Sequence, residues 1–192
     1  MITPRPYMVL AANVDSFVGH GIEFFSILNA IREGNFDPKR FIATHIGITV
    51  LNEYSELCVC EMMPEGCVMT KWNNSRYQKN EVRFILFDFI DPLTPYERLE
   101  MQCWCWNDAR IKKKYDYPSI GCYMLQAFKG IWLGKKGKAA EERFHCSEQI
   151  ATYINRLRKF FKYPWKTSPM KFVLESTGVL LKPVYSNYNL IK

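Results

Sequence analysis

The segment "ERFHCSEQIATYI" places a cysteine, Cys146, where an extended stretch gives way to a helical pattern. A helix N-terminus presents unpaired backbone N–H groups and the positive end of the helix dipole, and both stabilise a thiolate. The same N–H groups can receive an oxyanion once the thiolate attacks a carbonyl. A nucleophile of this kind needs a base. His145, its immediate neighbour, is a poor one, because adjacent side chains at the end of an extended segment diverge. It reads as a packing or rim residue, and the base must be sought far upstream.

"FIATHIGITVL" and "ELCVCEMM" are rich in β-branched and apolar residues and flank the polar turn "NEYS", a hairpin pattern. With the turn centred on Glu53, His45 faces Glu61, Gly47 faces Val59 and Thr49 faces Leu57. Directly opposed residues share a sheet face with Cβ atoms roughly 4.5–5.5 Å apart, and a slip of one residue would part them. A carboxylate so placed holds one ring nitrogen, fixes the tautomer and stabilises the imidazolium, which frees the other nitrogen to act on a nucleophile. Cys146, His45 and Glu61 are therefore candidate nucleophile, base and orienting carboxylate. A buried structural cysteine and a strand histidine satisfied by its neighbour are the bland alternatives. His20, within "DSFVGHGIEFF", has no assigned role.

The elements that must position these residues follow from pattern. "YMVLAANV" reads as a first buried strand, and "DSFVGHGIEFFSILNAIREGNF" as a capped helix with a glycine stop. After the hairpin, "GCVMTKW" and "VRFILFDFI" read as strands, and "LEMQCWCW" fits strand or helix. "SIGCYMLQAFKGIWLG" has helical length. "SEQIATYINRLRKFF" is an amphipathic helix ending in basic residues that suit its C-terminal dipole. "TSPMKFVLESTGVLLKPV" closes with a helical turn and a strand. A helix, a run of antiparallel strands and then further helices indicate an α+β fold.

At 192 residues the chain suits one domain, spanning 1–192, with 48% apolar and 15% aromatic residues to build a core. No run approaches the about 20 apolar residues of a membrane-spanning helix. The start, "MITPRPYMVLAANVDSF", has no basic segment ahead of a long apolar one, so the expected setting is cytoplasmic. Seven cysteines, an odd number, then read as reduced thiols. The net charge of +7 comes largely from "RIKKKYDY", "GKKGK" and "RLRKFFKYPWK". Those runs form a solvated face or meet a polyanionic partner.

The order "THIGITV", "CEMMPEGCVMTKW", "KYDYPSIGCYML", "RFHCSEQIATYI", "SPMKFVLESTGVLLKPV" resembles the circularly permuted NlpC/p60 hydrolases, in their papain-like, YiiX-type branch. The resemblance spans residues 7 to 184. It implies a papain-like α+β domain with the nucleophile helix packed on a small antiparallel sheet. It also implies His45 as base, Glu61 as third polar member, Cys146 as nucleophile, and Tyr115 as a residue that positions the substrate carbonyl or lines the oxyanion site. Ser147 and Glu148 would serve the helix terminus. The substrate implied is a peptide, peptidoglycan or acyl-amide bond, with no cofactor and no metal, in a bacterial or viral setting. Two departures are visible: "HCSE" replaces the Asn-Cys-Glu-His of the lecithin:retinol acyltransferase branch, and "PRPYMVLAANV" lacks the usual Gly-Asp before the first strand.

Three other readings stay open. The same residues could move an acyl group or cleave a lipid ester. The fold could serve as a silent binding or structural module. Finally, Cys58, Cys60, Cys103 and Cys105, two pairs each on one strand face, could converge on zinc, although their one-residue spacing is short for such sites.

Overall fold

A computed structural model describes residues 4–15, 17–32, 41–79, 81–118 and 143–187. The expected "SIGCYMLQAFKGIWLG" helix, with Cys122, and the "GKKGK" run lie outside them. The fold is α+β. Strand β1 (Val9–Asn13) leads into helix α1 (Phe17–Arg32), and β2 (His45–Leu51), β3 (Leu57–Met63), β4 (Gly66–Lys71) and β5 (Arg83–Phe89) follow. Then come α2 (Pro95–Arg110), the two-residue strands β6 (Lys114–Tyr115) and β7 (Arg143–Phe144), α3 (Cys146–Arg158), α4 (Pro169–Ser176) and β8 (Leu181–Ser186). Six strands form one sheet in the order β4-β3-β2-β1-β5-β8, antiparallel at every pairing. β6 and β7 pair in parallel, Tyr115 beside Phe144.

Alternation along the strands sorts side chains to two faces. Ile46, Ile48, Val50, Cys60 and Met62 join Ile150, Ala151, Tyr153 and Ile154 of α3 in one core. Leu10, Val59, Trp72, Tyr77, Phe84 and Leu86 form a second core. His45, Gly47 and Thr49 alternate with the first set along β2, so they belong to the side of Val59 and Tyr77.

The hairpin register differs from expectation by two residues: Gly47 pairs with Glu61, Thr49 with Val59 and Leu51 with Leu57. The turn is longer than a tight reversal about Glu53. Asn52 Oδ1 accepts from the N–H groups of Tyr54 and Glu56, both at 2.9 Å, and Ser55 takes a left-handed φ of 60°. Because side chains alternate with a period of two, this shift keeps Glu61 on the same face as His45. The two are diagonal neighbours instead of directly opposed ones.

"LEMQCWCW" is helical. Thr94 caps α2 in a reciprocal box with Glu97, and Pro95 occupies the first turn. Two residues apart on a helix is about 200° of rotation, so Cys105 is buried while Cys103 is exposed. The expectation that both share a strand face is thereby corrected. Glu97 also receives a two-pronged bond from Arg158, at 2.7 and 3.0 Å, which fastens the end of α3 to the start of α2. Arg156 lies over the Trp104 ring. Part of the basic C-terminal run is thus spent on packing within the chain. No helix among the described residues is long and apolar enough to cross a membrane.

Candidate active site

Cys146 is the first residue of α3, and every residue from it to Ile154 is buried. Its sulfur comes within 4.0 Å of the Thr44 carbonyl, immediately before β2. His45 opens that strand, so it stands at the end of the sheet where the helix terminus and the second face meet. Its Nε2 lies 2.7 Å from Glu61 Oε2, and the thiol of Cys146 is also within hydrogen-bonding reach of the ring. With Nε2 held by the carboxylate, Nδ1 is the atom left for sulfur.

Glu61 Oε2 takes two further donors, the Tyr77 hydroxyl at 2.6 Å and Arg76 Nη2 at 2.9 Å. Neither was marked by the sequence. Both lie just beyond a short 3-10 turn after β4, in "SRYQK", where nothing in the local pattern separates an Arg-Tyr pair from an ordinary polar loop. Tyr77 is fully buried against Trp72 and Phe84, and Arg76 rests over the Tyr77 ring.

Sulfur, imidazole, carboxylate and guanidinium therefore form a chain of alternating charge. Burial raises the cost of ionising Glu61, but bonds to His45, the charge of Arg76 and the Tyr77 hydroxyl overcome it and hold its pKa at about 2. Burial likewise opposes a charged His45, yet the Cys146 thiolate and Glu61 lift it from 6.5 to about 9. Cys146 moves the other way, from 9.0 to about 5, because His45 and a hydrogen bond from His145 outweigh burial. The two shifts agree in direction and describe an ion pair.

Gly47 enters this arrangement by omission. It sits directly across from Glu61, and a Cβ there would lie 3.2 Å from the Cys60 carbonyl oxygen and 3.3 Å from Glu61 Cβ.

Tyr115 is brought to the sulfur by the pairing of β6 with β7, two residues before Cys146. Its hydroxyl is pushed well above the usual phenol range by burial first and then by the neighbouring thiolate, so it stays a donor. Its ring packs against Tyr117 at 4.9 Å.

His145 is not a rim residue. It is buried and caps α3, with Nδ1 accepting from the Glu148 N–H at 3.3 Å. The expectation of divergence from Cys146 fails because its ring folds back over its own helix instead of continuing the extended course. Ser147 donates to the Thr167 carbonyl at 2.5 Å, and Glu148 completes the capping box. His20 is exposed, 2.9 Å from Asp15. Among the described residues, no group of three or more His, Cys, Asp or Glu is arranged to hold a metal ion.

No protein-family model matches the chain, and no curated protein matches it in sequence. Solved structures do match in shape. The crystal structure of the metalloprotein YiiX from Escherichia coli O157:H7 aligns with a TM-score of 0.53 at 12% identity. The alignment covers 96% of this chain and 98% of that one. At this identity the likeness is one of fold, and it runs through nearly the whole length of both chains.

Proposed function

We propose that the protein is a cysteine hydrolase of the permuted NlpC/p60, papain-like kind, cutting an amide bond in a peptide or cell-wall peptide. The observation that carries this reading is the convergence of Cys146, His45 and Glu61, contributed by α3, β2 and β3, at one buried point. A thiol at a helix N-terminus that is paired with a carboxylate-bound imidazole has the parts nucleophilic catalysis requires.

In this reaction the Cys146 thiolate attacks the carbonyl carbon and its electron pair forms the carbon–sulfur bond. Negative charge passes to the carbonyl oxygen, which the N–H groups at the start of α3 and the Tyr115 hydroxyl receive. His45 gives its proton to the departing amine as the carbon–nitrogen bond breaks, leaving a thioester. Water then adds to the thioester, His45 taking its proton, and Cys146 is released as the thiolate. Glu61 keeps the ring in the required orientation throughout, and Arg76 with Tyr77 keeps Glu61 in place. This chemistry needs no cofactor.

The test is to trap the thioester. Rapid acid quench with a panel of peptide and muropeptide amides, followed by mass spectrometry, is expected to show an acyl adduct on the Cys146 peptide. Substitution of Cys146→Ala is expected to remove both adduct and turnover. An adduct on another cysteine, or turnover that survives Cys146→Ala, would reject the assignment.

A further inference from the structure

The end of the sheet away from His45 holds a cavity that the reaction above does not use. β1 pairs Ala12 with His45, whereas Arg5 and Tyr7 lie just ahead of the strand's other end. There a cavity of about 360 Å³ opens between that segment, the end of β5, the start of α2 and the edge strand β8. We propose that it is a binding site for a phosphomonoester, independent of the chemistry at Cys146.

Charge sets the class of ligand. Arg5, Arg98 and Lys182 line the cavity with one carboxylate, Asp88. The surplus of two positive charges matches the charge of about −2 on a phosphomonoester at pH 7 and exceeds that of a carboxylate. Phe89 and Leu93, both buried, form the wall behind them. An apolar wall concentrates the field of the charges in front of it, and it gives the organic part of an ester a surface to rest on. Arg158, nearby in the fold, is already committed to Glu97 and to the carbonyls of Asp91 and Pro92, so it braces the loop and adds no donor to the cavity.

Arg98 is the most closely held of the three cations. Its Nε donates to the Leu93 carbonyl at 2.9 Å, and its guanidinium lies 5.9 Å from the centre of the Tyr7 ring. Among the described residues its two terminal nitrogens have no acceptor. A guanidinium fixed by its inner nitrogen and by a ring presents the outer pair as a fork for two oxygens. Lys182 stands directly across from Asp88, on the same sheet face, and makes no ion pair among the described residues. Arg5 does pair, through Nη2 with Asp88 Oδ2, which draws the N-terminal segment against β5.

The backbone supplies an independent observation. Tyr7 has a φ of 68°, in the left-handed region that a bulky residue rarely takes. It is held there from both ends: its N–H donates to the Thr49 carbonyl at 2.5 Å and its hydroxyl to Gln102 Oε1 at 2.5 Å. Strain of this kind persists where the surroundings fix it, and it gathers at ligand clamps. Here it sets the ring against Arg98.

The experiment is calorimetric titration of the full chain with phenyl phosphate and with benzoate, which carries the same ring and a single charge. Phenyl phosphate is expected to bind saturably at one site, and benzoate at least about tenfold more weakly. Arg98→Gln should weaken phenyl phosphate by about tenfold and Lys182→Gln by about threefold. Arg110→Gln, an equal loss of charge at the far end of α2, should change nothing, and none of the three should alter labelling of Cys146. Flotation with phosphatidylcholine vesicles, with and without phosphatidic acid, separates the two sources of the ester. Flotation that needs phosphatidic acid and is lost in Arg98→Gln assigns a lipid headgroup, and phenyl phosphate binding without flotation assigns a soluble ester. Binding of neither probe would overturn the site. So would an affinity that Arg110→Gln weakens as much as Arg98→Gln, or flotation that Arg98→Gln leaves intact.

Discussion

Cys146 and the pair Cys60 and Cys67 are equally hidden, with 1%, 0% and 2% of their surfaces exposed, yet their thiols are driven in opposite directions. Cys60 and Cys67 lie diagonally across β3 and β4 with sulfurs 3.7 Å apart. Cys60 is raised well above its ordinary value by its hydrogen bond to Cys105, with burial adding to the effect. Cys67 is raised by its hydrogen bond to Cys60 and by burial. Around Cys146 the neighbours are two imidazoles, and burial strengthens their hold instead of only penalising charge. Burial sets the stakes for a thiol, and the charge beside it decides the sign.

The largest effect expected from this contrast is in thiol labelling. At pH 7 the native protein should label at Cys146 at least about a thousandfold faster than at Cys60 or Cys67, which should react only after denaturation. Comparable rates at the three sites, measured peptide by peptide, would break the comparison.

Next in size is Glu61→Gln. Without the carboxylate the ring loses both its orientation and a source of its raised pKa, so turnover should fall by about 10²- to 10⁴-fold. The parent kcat/KM should be bell-shaped, with limbs near about 5 for Cys146 and about 9 for His45. In Glu61→Gln the upper limb should move to lower pH, and an unmoved limb would show that Glu61 does not act on His45. Stability follows the same groups. His45 contributes fully below 6.5 and loses that contribution as pH rises through about 9. Cys146 contributes fully above 9.0 and loses that contribution as pH falls through about 5. Thermal melts across pH should therefore peak between those limits.

A smaller change is expected from Arg76→Gln, which leaves Glu61 with His45 and Tyr77. A loss of about tenfold in kcat with the labelling of Cys146 nearly intact would place Arg76 behind the carboxylate, as a positioning residue. A collapse in labelling equal to that of a His45 variant would contradict that ordering. The smallest effect belongs to the far end of the molecule. Removing the α2 cap by Thr94→Ala should cost about 1 kcal/mol in denaturant unfolding, with no change in Cys146 labelling.

Most strands, three of the described helices and the grouping of Cys146, His45 and Glu61 were legible from periodicity, caps and turn chemistry, whereas Tyr115 was marked only by the family resemblance. The hairpin register was read two residues off, because the turn uses Asn52 as a side-chain acceptor and a left-handed Ser55, neither of which is marked by spacing alone. The pairing of His45 with Glu61 survived since a slip of two preserves the face. Arg76, Tyr77 and His145 were out of reach for a different reason. Their roles come from long-range folding of a loop and from a ring turning back on its own helix, and neither leaves a periodic trace. The central position of β1 in the sheet likewise follows from tertiary pairing and not from its own sequence.

Gly47 shows what this means for inheritance. The space it leaves lies directly across from Glu61, beside the diagonal that the carboxylate spans to His45, so a methyl group there would press on the carboxylate's own Cβ and on the backbone of β3. The strand could absorb that pressure with a displacement of a few tenths of an ångström, and the chain would still fold. Natural variation at position 47 would then surface first as altered chemistry in a well-folded protein, and a screen that scored only abundance would miss it.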